Sequence, residues 1–595
     1  MSTDIEPTAS PSAKNKVPNP NSYTDNLPVL HKSYETLNGL IDSAAARHAD
    51  LPAIGMVLEQ AWSYKQFHNN ILSLAAQLQH EGVSKNDKVA ILAENSHHWG
   101  TTYLAIVRLG AAAVPILPDL PEADVHHILG EMQCKFLFIT QRQLEKINEL
   151  KNKPKTIITF DDYIDPSGLV TTIPFSRYLQ DALDRYALSV SNGETRFAEV
   201  NGGDIASILY TSGTSGFSKA VMLSHANLYS NAHSADKIIS LQPGSVFLSV
   251  LPVSHTYEFT VGFLLPLIKG CRIAYAGKTP TPSVLQKFCQ KERPHCMLIV
   301  PLVIEKIYKK KVVPAIEQSR ILSFLCKISL GRKLIHKRIG KQLLDFFGGR
   351  VECIGIGGAA LSPDVESFLR EASFPFLVGY GLTESAPLLA GGPQGDSDIA
   401  PGSTGKPVPG VEIRIQDPDP VSGIGEIYGK GPNVMQGYWN DQAATTEALT
   451  GDGWLRTGDL GYIDPKGNLH IKGRSKSVIV LANGENIYPE VLEHKLNNYP
   501  DVLESLVMEH NSTLEALVVP DYERINEDTV GWDREKRHHY ILERLETIRK
   551  EVNALSSPTA RIAKIVERRE PFIKTATHKI KRYLYTAGTV AGENL

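Results

Sequence analysis

A chain of 595 residues is too long for a single hydrophobic core, and domain sizes predict roughly two to four compact units. With 42% hydrophobic and 21% charged residues, most of it can fold. A formal net charge of −3 excludes the global basic field expected of a nucleic-acid-binding protein.

In chain order, residues 1–30 are polar and proline-rich and read as a disordered tail, with no apolar stretch of a signal peptide. Next, "SYKQFHNNILSLAAQLQHEG" carries apolar residues at helical spacing and stops on Gly82. "KVAILAEN" and "CKFLFIT" predict buried strands, and "AIVRLGAAAVPILP" predicts a helix running into a loop or strand. This βαβ rhythm predicts mostly parallel sheets covered by helices, up to about residue 410. Beyond it, "GVEIRIQD", "GEIYGKG" and "NLHIKGR" alternate as short strands between glycine turns, which predicts a small β-rich unit. After Arg474 the texture becomes that of a compact α+β module. The expected fold class is therefore α/β. A large N-terminal domain of stacked sheets with a β-rich subdomain, 31–474, precedes an α+β C-terminal domain, 475–595.

Six cysteines lie scattered without a C-x-x-C pair and read as reduced, mostly buried thiols, in keeping with a cytoplasmic protein. The apolar run "FTVGFLLPLI" is too short to span a bilayer and contains Pro266. One charge anomaly stands out. Lys306 to Lys341 holds eleven Lys or Arg and one acid, Glu317, around the apolar "ILSFLCKISL". Such a segment is either a solvated helical face or a surface for anionic lipid or ligand phosphates, which would make the protein peripheral at a membrane.

The chemistry concentrates in "YTSGTSGFSK", Tyr210 to Lys219. It is not a Walker A loop, because its glycines are three apart and Ala220, not a hydroxyl, follows the lysine. Its physics still suits a phosphate. Gly213 and Gly216 allow close backbone approach, Thr211, Ser212, Thr214 and Ser215 offer donors, and Lys219 supplies charge. Alone, such a loop is more often a plain turn.

Its company is more specific. "GGAALS" begins at Gly357, "GYGLTES" at Gly379, "GWLRTGDLGYID" holds Asp459, "GRSKSVIVLANGENIYPEVLE" holds Arg474 and Lys476, and "PFIKTATHKIKR" holds Lys579. At these residues the chain resembles the adenylate-forming superfamily of acyl-CoA synthetases, luciferases and peptide-synthetase adenylation domains, in the family's order. Within it, "LPVSHTYEF" and "FGGRVECIGIGGAALSPDVESFLREASFPFLVGYGLTESAP" look most like long-chain fatty acid–CoA ligases.

The resemblance implies activation of a fatty acid by ATP to acyl-AMP, then transfer to CoA. By it, Thr211, Ser212, Gly213, Thr214, Ser215, Gly216 and Lys219 would cradle the β- and γ-phosphates. Gly357, Gly358, Ala359 and Tyr380 would wall the adenine. Thr383 would contact the α-phosphate, and Glu384 would hold Mg²⁺. Asp459, assisted by Arg474, would accept from the ribose hydroxyls. Lys579 would bridge carboxylate and α-phosphate as they react. Lys476 would be the hinge about which the C-terminal domain turns, and His255 and Gly484 would line the acyl and pantetheine passage. Alone, each residue has a plainer role, Asp459 as a turn aspartate and Lys579 as a solvated lysine. Three positions depart from the family: Ser218 stands where proline is usual, Ala220 where glycine is, and His578 replaces the glycine before Lys579.

The nearest rival is a fatty acyl-AMP ligase that loads a separate acyl carrier protein. A luciferase-like oxygenase shares the scaffold. A non-catalytic lipid-binding scaffold is the rival from another class, and the intact set Lys219, Glu384, Asp459, Arg474 and Lys579 argues against it.

Overall fold

The computed structural model describes residues 36–211, 219–480, 486–510, 513–575 and 579–585. Two eight-stranded sheets form its larger part. The first runs from Gly437–Tyr438 through the hairpin Lys219–Ser224 and Ile205–Thr211 to Ala112–Ile116, Lys88–Leu92, Phe136–Ile139, Thr156–Thr159 and Ile173–Pro174. The second begins with Leu388–Gly391, Phe376–Gly381, Cys353–Ile356 and Cys296–Ile299. It continues through Val246–Ser249, Arg272–Tyr275 and Pro52–Met56 to Trp62–Ser63. Interior pairs are parallel, and antiparallel partners sit toward the ends.

Strands such as Lys88–Leu92 and Phe136–Ile139 are apolar at nearly every position because helices cover both faces. Between the sheets lies a shared core. Ile91 and Phe138 of the first sheet and Ile54 and Ile273 of the second meet across the helices Leu37–His48, Tyr64–His80 and His97–Arg108. The helix Tyr64–His80 starts on a capping box, Ser63 with Gln66, and stops before Gly82, whose φ is +92°.

The run "FTVGFLLPLI" does not lie at a surface. It forms a π-helical stretch, Glu258–Leu264, and then the helix Leu265–Lys269, with Phe263, Leu264 and Leu265 wholly buried. Among the described residues no helix is long and apolar enough to cross a membrane. All six cysteines are free, and five are buried.

Glu412–Gln416, Gly425–Lys430, Leu455–Ile463 and Leu469–Arg474 form a separate antiparallel sheet of four strands, as the alternation of "GVEIRIQD" and its neighbours implies. Beyond Arg474, Val502–His510, Thr513–Pro520 and Ile562–Glu567 pair into a three-stranded sheet. The helices Pro489–Asn497 and Arg534–Ala554 cover it, and Leu492, Leu496, Ile541, Leu545 and Ile548 close a core of their own. Among the described residues this small unit meets the large one where Tyr488 and Glu490 pack on Gly473 and at several polar points. The Lys309 ammonium donates to the Asn497 carbonyl at 2.5 Å, and the Ser362 hydroxyl donates to Asn498 Oδ1 at 2.8 Å.

Candidate active site

The site forms where strand ends from three sheets converge. In the second large sheet, parallel pairing sets Ile356 beside Val378. That register brings Gly357 and Tyr380 together at the carboxyl edge, where open parallel sheets bind their ligands. Gly357 is buried against the Tyr257 ring, and Gly358 takes φ +85°, which any side chain would strain. Ala359 follows on the exposed rim. Gly381 has another constraint: a Cβ there would stand 1.8 Å from the Pro387 carbonyl oxygen.

Asp459 and Arg474 are register partners on adjacent antiparallel strands. Arg474 Nε lies 2.8 Å from Asp459 Oδ1, and the Tyr380 hydroxyl donates to Oδ2 at 2.6 Å. The carboxylate, 6% exposed, is thus fixed through both oxygens and still has lone pairs for a vicinal diol. Tyr380 therefore does more than offer a ring face. Burial and the neighbouring Asp459 charge raise its pKa, which keeps it a donor.

Thr383 and Glu384 sit on a short 3-10 turn, Thr383–Ser385. Asn433, 1% exposed, ties this turn down by donating to the Ser385 and Leu388 carbonyls, and Met435 N–H donates to the Glu384 carbonyl at 2.9 Å. The Glu384 carboxylate accepts from the Tyr438 hydroxyl at 2.9 Å. The same Tyr438 ring lies under Lys219, whose Nζ stands 4.8 Å from its centroid. Lys219 opens the second strand of the hairpin and pairs with Thr211, so the two arms of the phosphate-type loop are in register. Ser212, Gly213, Thr214, Ser215, Gly216 and Ser218 lie outside the described residues, as do Gly484 and His578.

Lys579 comes from the far end of the chain and completes the cleft. It lies within electrostatic reach of Glu384, Asp459, Arg474 and His255. The residue keeps an exposed flank, yet crowding around its ammonium and the Arg474 charge lower its pKa, while Asp459 and Glu384 act the other way. His255 is pushed down to about 4, first by desolvation and then by Lys579, so it is a neutral imidazole at neutral pH. Its Nδ1 accepts from the Tyr257 N–H at 3.2 Å. Lys476 stands away from this cluster, exposed on the turn Ser475–Ser477 and 3.9 Å from Glu447.

Among the described residues no three His, Cys, Asp or Glu side chains gather to hold a metal. A single hard carboxylate such as Glu384 fits a Mg²⁺ that shares its coordination with substrate phosphates.

The structure thus gathers Lys219, Glu384, Tyr380, Asp459, Arg474, His255 and Lys579 from widely separated stretches of chain. Sequence reasoning missed Tyr438, which joins Lys219 to Glu384. Its strand is two residues long, too short for any periodicity, and only the pairing of Tyr438 with Val221 sets it beside the hairpin. Lys309, counted within a surface charge run, instead faces the C-terminal unit.

Comparison with known proteins agrees with this geometry. The family model described as AMP-binding enzyme matches residues 41–439. A long-chain-fatty-acid–CoA ligase of Drosophila melanogaster, heimdall, is 27% identical over 516 residues, covering 81% of this chain and 74% of that protein. A long-chain-fatty-acid–[acyl-carrier-protein] ligase of Arabidopsis thaliana, AEE15, is also 27% identical, covering 72% of this chain and 68% of that protein. Among solved structures, the anthranilate CoA ligase AuaEII in complex with anthranoyl-AMP superposes with a TM-score of 0.76 at 20% identity, covering 95% of this chain and 98% of that one. With a family model spanning well over half its length and an adenylate-forming fold throughout, the chain belongs to the AMP-binding enzymes, the adenylate-forming superfamily.

Proposed function

We propose that the protein activates a long-chain fatty acid with ATP and passes the acyl group to CoA, giving acyl-CoA, AMP and pyrophosphate. The observation that carries this reading is the Asp459 carboxylate held by Tyr380 and Arg474, with Lys579 within electrostatic reach of Glu384, Asp459 and Arg474. A long-chain acid is supported by the named activity of relatives such as heimdall and by the "LPVSHTYEF" stretch.

In the first half-reaction a carboxylate oxygen attacks the α-phosphorus, and the bond to pyrophosphate breaks. Two anions must approach, so the chief task is charge stabilisation. Thr211 and Lys219, with the loop between them, hold the β- and γ-phosphates. Gly357, Gly358, Ala359 and Tyr380 form the adenine wall, and Thr383 reaches the α-phosphate. Asp459, already oriented by Tyr380 and Arg474, accepts from the ribose diol. Glu384 would hold Mg²⁺, which when bound would supply neutralisation of phosphate charge. Lys579 places its ammonium between the attacking carboxylate and the α-phosphate. In the second half-reaction the CoA sulfur attacks the acyl carbonyl and AMP leaves with the electron pair of the C–O bond. Neutral His255 lines the acyl passage, and the C-terminal unit turns about Lys476 so that the segment around Gly484 borders the pantetheine.

The acyl-carrier-protein ligase among the relatives supports one alternative, a carrier protein as acceptor. The test is pyrophosphate release and thioester formation across free acids from acetate to docosanoate, with CoA or carrier protein as sole acceptor. Turnover with long acids and CoA is the expected result. Pyrophosphate release with carrier protein alone would establish the alternative, and no release with any acid would remove both.

Tyr438 gives a second prediction. A hydrogen bond to a charged group contributes about 1.5–3 kcal/mol. Tyr438→Phe keeps the ring under Lys219 and loses the bond to Glu384. We expect kcat/KM for ATP to fall about tenfold or more and the Mg²⁺ titration to shift upward. Unchanged values for both would take Tyr438 out of the site.

A further inference from the structure

We propose that the paired helices Arg320–Cys326 and Ser329–Phe346 form a docking surface for an anionic lipid bilayer. This goes beyond the catalytic reading and does not depend on the length of the acid.

The helix Arg320–Cys326 has no buried residue. Its apolar positions Ile321, Phe324 and Leu325 recur at helical spacing and are 72%, 64% and 37% exposed. Ile328, in the link between the helices, is 50% exposed, and Leu330 and Leu334 of the next helix are 71% and 63% exposed. Six large apolar side chains within fourteen residues thus face outward. Scattered single exposures are ordinary on a protein surface, whereas a contiguous set of this kind marks a contact.

The longer helix is two-faced. His336, Gly340, Leu343 and Phe346 are buried on one side, and a Cβ at Gly340 would collide with Ala372. Leu330, Leu334, Lys337 and Lys341 follow at i, i+4, i+7 and i+11 on the opposite side, all exposed. Lys327, Lys333 and Arg338 are exposed as well. Among the described residues none of these five cations has an ion-pair partner, whereas Arg332 is held by Glu371. Apolar side chains ringed by unpaired cations match the chemistry of an interfacial helix, with apolar groups entering the headgroup boundary and cations meeting lipid phosphates.

The structure also narrows the basic segment. Lys309 donates to the Asn497 and Tyr499 carbonyls, Lys310 pairs with Glu523 at 3.5 Å, and Lys311 lies over the Phe346 ring. Lys309 thus faces the C-terminal unit, and Lys310 and Lys311, though exposed, each have a partner within the protein, whereas the unpaired cations beside the apolar patch lie after them.

The test is sedimentation of the full chain with vesicles of phosphatidylcholine alone or mixed with phosphatidylserine, at low and high salt. Binding to the anionic vesicles that weakens with salt is expected. The variant Lys327→Gln, Lys333→Gln, Lys337→Gln should bind at least tenfold more weakly, since each charge near such a surface contributes about a fivefold factor. Ile321→Ser, Phe324→Ser, Leu330→Ser should also bind more weakly, with the melting temperature within a few degrees of the parent because these side chains are mostly exposed. Lys310→Gln should bind as the parent does. No binding to vesicles, equal binding to both vesicle types, or undiminished binding by both triple variants would overturn the proposal. Catalysis is not measured, so a failed activity assay and a failed vesicle assay remain distinct results.

Discussion

Lys579→Ala is expected to slow acyl-adenylate formation about 10²–10³-fold, while thioester formation from supplied acyl-AMP stays within about tenfold of the parent rate. The asymmetry follows from where Lys579 stands. It reaches the cleft from the small C-terminal unit, beside Glu384, Asp459 and Arg474. Glu384 and Asp459 stand there against Lys219, Arg474 and Lys579, a net of one positive charge for an incoming acid, and losing the Lys579 ammonium removes it. Among the described residues that unit meets the large one partly through polar contacts, Lys309 to Asn497 and Ser362 to Asn498 among them, which water can replace. On the proposed mechanism the unit turns away for the second step and takes Lys579 with it. The lowered pKa of Lys579 adds a sign: adenylation should fade on the alkaline side earlier than for an ordinary lysine. Equal loss in both half-reactions, with the fold intact by circular dichroism, would falsify this placement.

Much of the scaffold was legible because burial writes itself into sequence. A parallel strand covered on both faces, such as Lys88–Leu92, leaves a continuous apolar run, and a half-buried antiparallel strand of the four-stranded sheet such as Glu412–Gln416 leaves alternation. Sheet order left no such trace. Nothing local in "MQGYWN" says that Gly437–Tyr438 ends the first large sheet beside the hairpin, and so Tyr438 escaped notice. Asp459 and Arg474 stood in recognisable motifs, but the bond from Tyr380 that orients the carboxylate depends on two sheets meeting. Charge runs misled for a similar reason. Lys309 and Lys337 look alike in sequence, yet one contacts carbonyls of the C-terminal unit and the other faces outward.

Glu258→Gln is expected to change how stability depends on pH. Glu258 is fully buried at the start of the π-helical stretch, three residues after His255. Neither carboxyl oxygen makes a hydrogen bond of good geometry. The Ser249 hydroxyl, which already accepts from Asn95, gives only partial relief. Tyr257, Tyr275 and Cys296 surround it, each with its own pKa raised by burial or by a neighbouring thiol, so no positive charge faces it. Desolvation therefore raises Glu258 from 4.5 to about 8. Between these values the folded chain holds a proton that the unfolded chain releases. Stability then falls as pH rises across that interval, by on the order of 3–5 kcal/mol in all. Glutamine keeps the shape and cannot ionise, so its cost is constant with pH and the slope vanishes. The consequence reaches the cleft. Two residues on, the Thr260 hydroxyl donates to the Ala386 carbonyl at 2.8 Å, directly behind the turn that carries Thr383 and Glu384. A charge forced onto Glu258 would loosen that tie. Denaturant unfolding from about pH 5.5 to 9 measures the effect as the difference between parent and variant. A difference growing in favour of the variant as pH rises is expected; two parallel curves would mean that Glu258 is relieved by a partner and carries no buried proton.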